Sequence, residues 1–154
     1  MEKNDFKKIT KEWLLSKGFR KEDELVYICP LEGFDLMVLF IKDRFSEHFY
    51  FDIGFQLRNV QWGSGQVRVA VPSEKYWKHI IMADGSKNIV NNCFYYEEWS
   101  KDDYLEALEN ICQIYIQPYY DTGLKYWKKI LQEQRYRGQG YVIGTTAREV
   151  ISKM

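Results

Sequence analysis

"FDLMVLFIKDRFSEHFYFDIGFQL", residues 34–57, is the stretch on which the fold turns. Its second arm alternates. Phe49, Phe51, Ile53, Phe55 and Leu57 point one way, and His48, Tyr50, Asp52, Gly54 and Gln56 the other, which is the period of a half-buried strand. The first arm does not alternate: residues 36–41 are apolar throughout. With a polar turn over residues 43–47, the two arms predict a β-hairpin. A strand apolar on both sides belongs where both faces of a sheet are covered, so residues 36–41 are expected at the centre of the sheet. One face should meet helices. The other carries Tyr50 and Asp52, so it is expected to resemble an interface more than a core. The C-terminal helix and tail, a second copy of the chain, or a partner could cover it.

Outward from the hairpin, Phe6, Ile9, Trp13 and Leu14 recur at helical spacing and predict a helix from residue 4 or 5 to 17, ended by Gly18. Residues 24–29 read as a strand, turned by 30–33. Trp62-Gly63-Ser64-Gly65 is a loop, and Val67, Val69 and Val71 mark a fourth strand, 66–71, which Pro72 ends. A short helix is expected over 73–82 with Ser73 as its cap, then a turn at 84–88. Residues 93–99 read equally as strand or loop. The best-signalled helix starts at Ser100, where Ser100 and Asp103 resemble a capping box. Its buried face is expected to hold Leu105, Leu108, Cys112, Tyr115 and Tyr119. Pro118 should kink or end it. A helix over 122–134 (Leu124, Trp127, Ile130 and Leu131 inward) is followed by a loop at 137–140 and a short strand at 141–143. Thr145 or Thr146 should cap a last helix that turns Ala147, Val150, Ile151 and Met154 inward. Strands that cluster, rather than alternate with helices, argue α+β. The expectation is one domain, 1–154. It has an antiparallel sheet of about four to five strands, with an N-terminal helix and C-terminal helices packed mainly on one face.

The chain is 45% hydrophobic and 29% charged, as folded globular proteins are. Lys plus Arg equals Asp plus Glu, 22 each. That balance argues against nucleic acid and membrane surfaces as partners, which select a basic excess. No apolar run approaches the ~20 residues of a membrane span. The odd set Cys29, Cys93 and Cys112 lacks close spacing, and no apolar leader follows the charged start, so the expected compartment is the cytoplasm. Asp102, Glu106 and Glu109 share one helical face, read as solvated surface before a patch for a basic partner.

Motifs for chemistry are weak. His48 and His79 lie far apart and the cysteines are scattered, so no metal is expected. Ser64 lacks the strand-to-helix turn of a nucleophile elbow. The glycines at 138, 140 and 144 are spaced one residue too widely for a dinucleotide fingerprint, and no cofactor is expected.

Phe6-Lys7-Lys8-Ile9, Gly18-Phe19-Arg20-Lys21, Tyr50-Phe51-Asp52-Ile53-Gly54 and Ile116-Gln117-Pro118-Tyr119-Tyr120-Asp121 together resemble the bacterial family catalogued as domain of unknown function 4304, over roughly residues 5–131. These motifs are structural, and the family has no established activity. By analogy, small cytoplasmic families of this sort include suspected immunity proteins, which bind and neutralise a toxin.

The expected function is therefore a non-catalytic protein-binding module such as an immunity protein. Its partner would be a toxin-like protein or a second copy of the chain. The alternatives are a small enzyme with a site assembled from distant residues, or a single-stranded nucleic-acid binder using sheet aromatics such as Tyr50 and Phe40. The candidate contact residues are Tyr50, Asp52, Gln56 and Arg58 on the polar side of the hairpin's second arm, with Trp62 at its end.

Overall fold

The computed structural model describes residues 1–71, 93–132 and 141–154. Helix α1 (Lys3–Ser16) leads into β1 (Arg20–Lys21), β2 (Val26–Pro30), β3 (Phe34–Lys42), β4 (Phe49–Leu57) and β5 (Gln66–Val71). A 3₁₀ turn (Tyr96–Glu98) precedes α2 (Lys101–Ile111), a π-helical turn (Cys112–Ile116), α3 (Gln117–Thr122) and α4 (Lys125–Gln132). Strand β6 (Tyr141–Ile143) and α5 (Thr145–Ser152) close the order. The fold is α+β. The six strands lie side by side in sequence order, each antiparallel to its neighbours. The expectation of four to five strands falls short because the two-residue β1 has no alternation to betray it. The elements expected at 73–82, 84–88 and 137–140 lie outside the described residues.

The hairpin register settles which side of β3 faces where. Val38 pairs with Ile53 and Phe40 with Phe51 on the face that meets the helices. That cluster draws on every described α-helix through Phe6, Tyr104, Tyr119, Trp127 and Ala147. Aromatic rings dominate one end of it: Phe6 stacks on Tyr104 with centroids 4.5 Å apart and touches Phe40, Phe49, Phe94 and Tyr96.

On the opposite face Met37, Leu39, Val26 and Ile28 form a second cluster, with Ile41 packed beside it. Met37 is 0% exposed and Ile28 9% within the single chain. This corrects the expectation of an interface-like face, since these side chains are already a core layer. The C-terminal helix does not cover them, because Ala147 and Ile151 belong to the first cluster. Gly54 sits opposite Met37 and Arg68, where a Cβ would fall 1.7 Å from the Val67 carbonyl oxygen. The backbone of β5 leaves no room for a side chain there.

The helices follow the sequence with shifts that have physical causes. Ser100 caps α2, its Oγ accepting from the Asp103 N–H at 3.1 Å. The buried face is Tyr104, Ala107, Leu108 and Ile111, and Leu105 is only partly buried. The stripe rotates because the Tyr104 hydroxyl reaches the Thr10 hydroxyl at 2.6 Å while its ring lies on Phe6. Pro118 neither ends the helix nor kinks it alone. Its missing N–H falls in the first turn of α3, and the wide turn at Cys112–Ile116 absorbs the mismatch. Gly123, at φ 59°, separates α3 from α4. At α5 the cap is Gly144, not a threonine; Thr146 Oγ1 pairs instead with Ser64 Oγ at 2.7 Å. Val150 and Met154 face solvent rather than the core.

Candidate binding surface

The five residues expected to meet a partner differ in how far they are engaged within the chain. Arg58 is committed internally. Its guanidinium donates to Asp35 Oδ1 at 3.0 and 3.1 Å, to the Leu31 carbonyl at 2.6 Å and to the Phe34 carbonyl at 3.1 Å. Gln56 is committed too, since Nε2 donates to the Leu57 and Val60 carbonyls, both at 3.0 Å, and so holds the loop after β4. Asp52 lies beside Arg68 at 3.4 Å on the second face. Burial pushes its carboxyl up, and the guanidinium of Arg68 pulls it back down. Burial, then the charge of Asp52, raises the Tyr50 phenol. Gln56 Oε1 and Arg68 Nε are buried with no hydrogen-bond partner among the described residues. Trp62 is 57% exposed, and Tyr50, half-buried, makes no hydrogen bond among the described residues. Tyr50, Asp52 and Gln56 share one side of β4, and none of the five lines the groove between α1 and the sheet edge.

A different constellation does converge. Between α1 and the sheet edge lies a groove of about 410 Å³. Lys3, Lys7, Lys8 and Lys11 of α1 and Lys21 and Lys42 of the sheet line it, together with Glu24, over Leu25, Tyr27, Phe40 and Phe49. The fold puts them there for simple reasons. Helix α1 buries Phe6, Ile9, Thr10, Trp13 and Leu14. Lys3, Lys7 and Lys11 recur every fourth residue along one flank of that stripe, while Asp5 and Glu12 lie on the other flank, beside a separate cleft. Tyr27 and Phe40 share the helix-facing side of β2 and β3, so they form the floor, and Lys42, paired with Phe49, ends the wall.

Glu47 draws the two walls together. It pairs with both Lys3 and Lys42, the latter at 2.7 Å. These two ammonium groups hold its carboxyl down at about 2. Beside it, His48 Nε2 lies 2.9 Å from Glu97 Oε2, which ties the hairpin tip to the 3₁₀ turn. Lys7, Lys8, Lys11 and Lys21 have no ion pair among the described residues. Sequence reasoning missed this site. The recurrence of Lys3, Lys7 and Lys11 was a readable signal, but Lys21 and Lys42 join them only through the fold.

Among the described residues no group of three or more His, Cys, Asp or Glu is placed to hold a metal ion, and His79 lies outside them. Cys29, Cys93 and Cys112 are free thiols. Burial pushes Cys93 and Cys112 up, away from the reactive thiolate. No described helix is long and apolar enough to cross a membrane. No family model, curated protein or solved structure matches the chain.

Proposed function

We propose that this chain is a non-catalytic protein-binding module, of the kind that immunity proteins represent, and that its contact surface centres on the lysine-walled groove. One observation carries the reading. A chain with no net charge gathers six lysines and a single glutamate, Glu24, around one cavity, and four of the lysines are in no ion pair among the described residues. Like charges held together repel and weaken the compact state. Such a cluster is retained where a complementary surface neutralises it, which steers encounter and fixes partner choice. The resemblance to the domain of unknown function 4304 family is part of the same proposal.

The test is reconstitution. The immobilised chain should retain one protein from an extract of its source, and the purified pair should form a stoichiometric complex by calorimetry that weakens as salt rises. Failure to form any stoichiometric complex refutes the reading.

A further inference from the structure

Resting on that reading, we infer that the groove takes an acidic polypeptide segment in extended conformation, bound through carboxylates on alternate residues. Three observations lead there. The first is spacing. Lys7 and Lys11, neither in an ion pair, stand four residues apart on α1, about 6 Å along its axis, and Lys3, which Glu47 holds, lies one such step further back. Side chains on one side of an extended chain recur every two residues, about 6.6–6.8 Å. A row of alternate Glu or Asp side chains therefore runs in register with the helix wall, while Lys21 lines the same cavity from the sheet. Positive charge spread along two helical turns suits distributed anions better than one compact anion.

The second observation is the floor. Tyr27 is 4% exposed and lines the groove, yet its hydroxyl has no hydrogen-bond partner among the described residues. A peptide laid along the groove supplies backbone N–H and C=O groups, either of which a phenol can engage. Leu25, 43% exposed at the rim, offers apolar contact for the intervening side chains.

The third observation decides between a peptide and a nucleic acid. Single-strand binders stack bases on open aromatic faces. Phe40 and Phe49 are 8% and 5% exposed, packed ring on ring at 4.7 Å, so no open face remains. The walls hold lysine alone and no arginine, the residue whose planar fork suits phosphate.

The test uses fluorescence anisotropy with two labelled probes, a peptide alternating glutamate with serine and an oligothymidylate of matched length and charge. The peptide should bind the full chain at low salt and weaken toward ~0.15 M. Lys7→Glu/Lys11→Glu should weaken it on the order of tenfold or more. Lys21→Glu, on the opposite wall, should also weaken it. Both variants should keep the wild-type circular dichroism and an unchanged or higher melting temperature, since they relieve self-repulsion. Lys125→Glu, at an exposed position of α4, should bind as wild type. Absence of peptide binding, tighter binding of the oligothymidylate, or wild-type affinity in both groove variants overturns the inference. A reconstituted natural partner that binds both groove variants like wild type overturns the groove assignment and leaves the binding-module reading standing. Peptide capture with no stoichiometric protein partner does the reverse.

Discussion

Replacing Thr10 with valine should destabilise the protein more than replacing Tyr104 with phenylalanine, although each change removes one hydroxyl from the same pair. Both residues are 0% exposed. Thr10 Oγ1 donates to the Phe6 carbonyl at 2.8 Å, so its hydrogen is spent, and the 2.6 Å contact with Tyr104 must be donated by the phenol. In Tyr104→Phe, Thr10 loses an incoming bond but keeps its outgoing one, a cost of about 1 kcal/mol. In Thr10→Val the phenol is left buried with no acceptor, a desolvation penalty of about 2 kcal/mol within a 1–3 range. The Phe6 carbonyl keeps its helical N–H partner in both cases. In Thr10→Val/Tyr104→Phe no polar group is stranded, so the double change should cost close to Tyr104→Phe alone. That is about 2 kcal/mol less than the sum of the two singles. Guanidinium unfolding of the four proteins, read as midpoint shifts at constant m-value, measures this directly. Melting temperatures should fall by about 2–4 °C per kcal/mol for a chain of this size. Equal costs for Tyr104→Phe and Thr10→Val, or costs that add, would show that the phenol does not donate to Thr10 as its partner.

Two further outcomes follow from contacts described above. Gly54→Ala places a methyl 1.7 Å from the Val67 carbonyl oxygen, so β4 and β5 must part; a loss of roughly 3 kcal/mol or more is expected in denaturant unfolding, and a loss under ~1 kcal/mol would refute the close approach. Glu47 has a folded-state pKa of about 2 against an ordinary 4.5, so its stabilisation is fully present above about pH 4.5 and is lost as pH falls toward 2; Glu47→Gln should flatten that part of the melting-temperature profile, and parallel acid limbs would count against the Lys3–Glu47–Lys42 bridge.

Much of the fold was legible because it rests on local periodicity. The alternation of Phe49 to Leu57 marked the two sides of β4, and the doubled apolar pattern of β3 placed it inside the sheet, third of the six described strands; which side of β3 met the helices came only with the register. Ser100 announced α2 through its own side chain. What escaped depends on contacts distant in sequence. The rotation of the α2 stripe toward Tyr104 answers to Thr10, 94 residues away. Arg58 looked like a surface cation until Asp35 and two carbonyls claimed it. Thr146 looked like a cap until Ser64 took its hydroxyl. The groove escaped for the same reason, since Lys42 stands opposite Lys3 only after β3 and α1 have packed. The mixed second face of the hairpin was read correctly as composition and wrongly as exposure: Asp52 and Arg68 neutralise one another beside a buried Met37.

The open meander has one more consequence. Among the described residues its two outermost strands, β1 and β6, are two and three residues long, and β1 consists of Arg20 and Lys21. Unpaired strand edges are templates onto which another chain can add, and they are made harmless by brevity and by charge. The long, aromatic, strongly β-forming strands β3 and β4, which would otherwise be the chain's amyloid hazard, lie second-neighbour or deeper from either edge. Misassembly would first require the terminal strands to peel away. Fibril formation should therefore track conditions that fray β1 or β6, well before those that melt the hairpin between them.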